Sequence, residues 1–120
     1  MSRLFSFIIA LLLAPLAALH AAEIFLVEDG QPRAEIVISE KPLRTVRLAA
    51  QELQDYVSKI SGARLAIVTE PSGGGVAKIF VGRSSHTENL NLNVSDLKHG
   101  AYRLVSGADW LALIGEDTEF

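Results

Sequence analysis

The chain contains no cysteine among its 120 residues. That absence excludes a disulfide framework and a lipid-modified cysteine behind an export signal, so the fold must be held by an ordinary apolar core. Positive charge is also in short supply, with 11 Lys and Arg against 14 Asp and Glu and a formal net charge of −3. Nothing in that balance favours nucleic acid or an anionic membrane surface as a partner. Aromatic residues make up 7% of the chain, which is thin for the ring platforms of sugar-binding modules. Beyond Trp110 the body of the chain offers Tyr56, Tyr102, Phe25, Phe80 and Phe120, and most of these fit core positions.

What is present begins with a leader. Met1-Ser2-Arg3 gives a short positive start, an apolar run follows from Leu4 to Leu19, and the small residues Ala21 and Ala22 close it. The run is shorter than the about 20 residues a bilayer span requires, and Pro15 interrupts it, so residues 1–22 read as a secretory signal cut near Ala21 or Ala22. Removing Arg3 with the leader takes the net charge from −3 to −4. The rest, 23–120, is one small domain of an exported protein, periplasmic or extracellular in a bacterium, with no membrane attachment once the leader has gone.

The stretch Leu43–Gly62, LRTVRLAAQELQDYVSKISG, is the one long segment with a helical period. Val46, Ala49, Ala50, Leu53, Tyr56, Val57 and Ile60 recur at three- and four-residue steps, opposite Arg44, Arg47, Gln51, Asp55 and Lys59. Pro42 suits the first turn, Gly62 suits a left-handed residue after the last, and Asp55 and Lys59 are spaced as an i, i+4 ion pair. A stripe about 28 Å long needs a sheet-sized partner.

Strands supply it. Residues 23–28 and 34–39 read as an antiparallel pair around the Asp29-Gly30 turn. Residues 64–70 and 77–82 read as the third and fourth strands, with the glycine-rich turn 71–75 between them. Residues 101–105 and 110–114 are the last two, and the final one is apolar on both faces, which places it inside a sheet. The expected fold is α+β, a mixed and largely antiparallel sheet of about six strands with one long amphipathic helix packed on one face. The other face needs cover from the polar stretch 83–99, studded with Leu90, Leu92, Val94 and Leu97, or from a neighbouring domain.

Residues that might carry chemistry read as structural. Glu116 and Asp117 are adjacent and would point to opposite sides of a strand, unlike the facing carboxyls of a glycosidase. His86 and His99 lack further ligands at metal-binding spacing. Ser84 and Ser85 beside His86 lack a Gly-x-Ser-x-Gly context, and Pro71–Gly75 lacks the lysine of a phosphate loop. Asn93-Val94-Ser95 is a glycosylation sequon with meaning only in a eukaryotic secretory host. No catalytic, metal or cofactor residue is therefore expected, and no cofactor. Two residues break the pattern: Leu48 on the polar side of the helix, and Trp110 at the start of the last strand on the face opposite Leu111 and Leu113. Both are candidates for contact with a following domain, against the plainer readings of a single exposed leucine and a tryptophan covering the sheet.

Three stretches in order, LAAQELQDYVSKISGARLAIVTE (48–70), IFVGRS (79–84) and GAYRLVSGADWLALIGED (100–117), together resemble the small N-terminal domain that precedes the catalytic barrel in bacterial α-glucuronidases, β-N-acetylhexosaminidases and related secreted proteins of unassigned activity. In the sugar-cleaving enzymes a Gly-x-x-Tyr-Gly-like segment follows the last strand, whereas Thr118-Glu119-Phe120 follows here. The resemblance implies a domain without catalytic residues and a C-terminal (β/α)-barrel as its partner, with polysaccharide as substrate of the whole. The expected function is thus a non-catalytic accessory domain of an exported carbohydrate-processing protein. A stand-alone glycan-binding or surface-interaction module is the alternative.

Overall fold

The computed structural model describes residues 23–118. The expected export signal, Met1–Ala22, and Phe120 lie outside the described residues. The chain forms β1 (Val27–Glu28), β2 (Gln31–Pro32), β3 (Ala34–Val37), α1 (Arg44–Ser61), β4 (Ala66–Val68), β5 (Ala77–Val81), a short α2 (Ser85–Asn89), β6 (Tyr102–Ser106) and β7 (Trp110–Gly115). It is an α+β fold, with a five-stranded mixed sheet in the order β4-β3-β5-β7-β6, a separate β1-β2 hairpin and one long helix.

Asp29-Gly30 makes the hairpin turn, with φ of 51° and 73°. The arms it joins are β1 and β2, so β3 is free to enter the main sheet rather than pair back on residues 23–28. Inside the sheet the pairing departs from the antiparallel expectation: β3 pairs parallel with β4 and with β5, β5 pairs parallel with β7, and only β6 and β7 are antiparallel. The reason is the helix. Parallel neighbours need a long crossover, and α1 is the crossover that carries β3 to β4. The final strand β7 is interior, flanked by β5 and β6, as its two apolar faces require.

Gly62 caps α1 with φ 76° and donates its N–H to the Ser58 carbonyl at 2.8 Å. Leu43 takes the N-cap position, so Pro42 precedes the helix instead of opening it. The contact face of α1 is Val46, Ala50, Leu53 and Val57, packed on Ile36 of β3, Ile38 just beyond it, Ile79 and Val81 of β5, and Leu65. Gln54 is buried in the same layer and its Nε2 donates to the Leu65 carbonyl at 2.7 Å. Asp55 does not pair with Lys59: it meets Arg64 at 3.6 Å, and the Lys59 ammonium lies 5.1 Å from the centre of the Tyr56 ring.

The second face of the sheet is closed from within. Val37, Phe80 and Ala112 form its core, with Leu90, Leu92 and Trp110 packed on them, and Val94 and Leu97 cover Ile114. The 83–99 stretch thus supplies the cover. Arg103 fastens it, donating to the Asn93 carbonyl and meeting Asp96 at 2.8 Å. The connection from β4 to β5 crosses the same face, where the Ser72 N–H and hydroxyl donate to the buried Glu35 carboxylate at 2.6 and 2.8 Å.

Truncation beneath α1 and truncation on its exposed surface should therefore have very different effects. Leu65→Ala, at a fully buried position, is expected to cost about 2–5 kcal/mol. Ile60→Ala, on a side chain 85% exposed, should stay within about 0.5 kcal/mol. Urea unfolding of the two variants against the parent checks both values.

Candidate functional site

The helix does not cover the whole of its side of the sheet. It lies on β4, β3 and β5. On the same side, β7 presents Leu111 and Leu113, and the register sets Leu104 of β6 opposite Leu113 and Tyr102 opposite Gly115. Opposed residues of an antiparallel pair share a face, so Tyr102 and Leu104 stand on the helix side, where nothing covers them: they are 80% and 62% exposed.

Alongside runs a second strip of α1. Ala49, Leu53, Tyr56 and Ile60 follow one another at helical spacing, turned from the sheet toward β6. Sequence periodicity places all four in the core, yet only Leu53 touches it, and Tyr56 is 59% exposed. Between this strip and β6 is an open groove of about 450 Å³. Ala49 and Leu53 form one wall, Ala101 and Tyr102 the other, and Val81 and Leu113 the floor.

One end of the groove is polar and is formed by Thr45 with Glu116, Asp117 and Thr118. Asp117 has a left-handed backbone, φ 30°. Burial pushes its carboxyl above the ordinary value of 3.8, while the nearby Arg83 charge and a hydrogen bond from the Arg83 backbone pull the other way. Its Oδ2 and the Thr45 Oγ1 are both buried and lack a hydrogen-bond partner among the described residues. A carboxylate oxygen and a hydroxyl at the end of an apolar trough are suited to hold the polar end of an otherwise apolar ligand.

The other residues singled out in the sequence are occupied elsewhere. Ser84 caps α2, its Oγ accepting from the Thr87 N–H while the Thr87 hydroxyl accepts from the Ser84 N–H. His86 sets Nε2 2.9 Å from the Thr69 carbonyl and stacks its ring on Phe80. Among the described residues no three His, Cys, Asp or Glu side chains gather to hold a metal. Leu48 and Trp110 are not brought together. Leu48 is exposed on the outer side of α1, and Trp110 lies on the opposite face of the sheet, edge-on to Phe80 at 6.4 Å. The groove has no counterpart in the sequence pattern. Its polar end lies at the carboxyl end of a parallel strand, where α/β sheets place their crevices, and strand direction is not written in the alternation of apolar residues.

No family model matches the chain, and no solved structure matches it. Among curated proteins it is similar to the mouse (Mus musculus) Erythroid membrane-associated protein, 33% identical over 88 residues, which is 72% of this chain and 15% of that protein. The chain thus spans about 15% of the length of that relative. These findings overturn the expected membership of the α-glucuronidase and β-N-acetylhexosaminidase group, since no glycoside hydrolase model matches and the relative found bears another name. The stretches that suggested the group are an amphipathic helix, its glycine cap and the strands beside it, a pattern that any helix laid on a parallel sheet reproduces. Among the described residues no helix is long and apolar enough to cross a membrane.

The raised pKa of Asp117 fixes the sign of a pH effect. A carboxyl that binds its proton more tightly in the folded state stabilises the fold below the unfolded value and loses that contribution as pH rises through the folded one. Asp117→Asn removes the titration. Its stability relative to the parent should therefore rise from pH 3 to a plateau above the folded pKa, as measured by thermal unfolding across that range.

Proposed function

We propose that this chain is a non-catalytic accessory domain of an exported carbohydrate-processing protein and that it docks on a neighbouring domain through the groove between α1 and β6. One observation carries the docking: Tyr56, Ile60, Tyr102 and Leu104 are exposed beside an apolar trough, although the opposite face of the same sheet is closed by the chain's own residues. Burying a large apolar side chain against a neighbour contributes about 1.5–3 kcal/mol. The non-catalytic part is supported by the employment of Ser84, Thr87, His86 and Glu35 in capping and bridging. The leader sequence Met1–Ala22 supports export. An acidic exported domain suits an uncharged extracellular polymer better than nucleic acid or anionic lipid, and this supports carbohydrate as the substrate class of the whole.

A glycan-binding module is the second reading. Tyr56, which the helical period places inside, and Tyr102 are both exposed on the groove side, and rings so placed can stack on sugars. Titrating the chain with xylan and chitin oligosaccharides, and assaying aryl-glycoside turnover, separates the readings. The accessory domain should bind no oligosaccharide tightly and turn over no glycoside. Tight binding lost in Tyr102→Ala would establish the module instead, and turnover by the purified chain would overturn the non-catalytic reading.

A further inference from the structure

We propose that the groove seats one amphipathic α-helix of the neighbouring domain, parallel to α1, with its N-terminus at Asp117 and Thr45. The inference rests on the accessory-domain reading above and gives its docking partner a shape, a polarity and a direction.

Width comes first. Five strands about 4.8 Å apart make a sheet roughly 20–24 Å across, and a helix with its side chains is about 10–12 Å wide. One helix covers β4, β3 and β5, which leaves room for one more over β7 and β6. Length follows from the exposed strip: Thr45 to Ile60 spans about 22 Å at 1.5 Å per residue, or four turns.

The ends of the groove set direction. A helix N-terminus carries four unpaired N–H groups and a partial positive charge, and its C-terminus carries the reverse. The groove has Glu116 and Asp117 at one end, with the Asp117 Oδ2 buried and unpaired. Beyond the groove's lining, toward the far end of the exposed strip of α1, Lys59 lies over the Tyr56 ring. A helix laid parallel to α1 gives its donors to Asp117 and its carbonyl end to Lys59. The opposite direction would put carbonyl oxygens against two carboxylates.

The test uses the full 120-residue chain, isotopically labelled for NMR, and a designed four-turn peptide with leucines on one face, carrying a nitroxide at either end. A peptide of the same composition with its leucines scattered is the control. The striped peptide is expected to shift the amides of Leu53, Leu104 and Leu113 and to bind at least about tenfold more tightly than the control. The N-terminal nitroxide should broaden Gly100 and Thr118, and the C-terminal one Ile60. Leu104→Lys, at an exposed position, should weaken binding about tenfold with an unchanged melting temperature. Equal binding of both peptides, or broadening with the ends reversed, would overturn the proposal. So would a concentration-dependent dimer that excludes the peptide and disappears in Leu104→Lys. If the peptide fails while the chain shows neither turnover nor oligosaccharide binding, the helix is wrong and the accessory reading stands.

Discussion

One helix is asked to cover a five-stranded sheet, and most of the structure follows from its failing to do so. The core holds where α1 meets β3 and β5, because Ile36, Ile79 and Leu65 are sealed there beneath Ala50 and Val46. The hydrophobic contribution scales with apolar area removed from water. Half of the helix's apolar strip, and the leucines and tyrosine of β6, therefore contribute little to the fold of this chain alone. Their contribution is available to whatever covers them.

The contrast with the second face makes this more than an accident of small size. There the chain uses the stretch 83–99, the short α2 and the loop after it, to cover the strands, pins it with Arg103, and closes the β6–β7 turn by laying the Trp110 indole over Gly107. A β-carbon at Gly107 would sit 2.2 Å from the indole nitrogen, so only glycine admits that arrangement. Even the buried carboxylate on this side, Glu35, is matched by two donors from Ser72, as buried charge requires. The helix side ends instead in Asp117 and Thr45 with unmatched atoms. One face is finished and the other is not.

The helix, its left-handed cap at Gly62, the Asp29-Gly30 turn and the interior place of β7 were legible in the sequence, because each depends on local spacing or on a residue's backbone freedom. The parallel order was not, since a strand's pattern records which faces are apolar and not the direction of its neighbour. Tyr56 and Ile60 show the same limit from another side. Periodicity marks them as members of the apolar face, and they are; it carries no information on how far the opposing sheet extends. Asp117 and Thr45 were beyond reach for a third reason. They lie far apart in the sequence, and their proximity exists only once β7 has been threaded between β5 and β6.

Whether such a groove can act as a seat depends on its being held open at a fixed width, and two contacts do this. At the start of α1, Gly82 has φ 76°, and a β-carbon there would lie 2.7 Å from Val46 Cγ2, so the helix is pressed against the end of β5 as closely as a backbone without a side chain allows. About two turns on, the Gln54 amide holds the Leu65 carbonyl at 2.7 Å. With both points fixed, α1 cannot roll over to bury Tyr56 and Ile60 without breaking a buried hydrogen bond and losing the Val46 contact. The apolar strip stays wet because the helix is anchored, and an anchored wall spares an incoming helix the ordering cost that a collapsing one would impose.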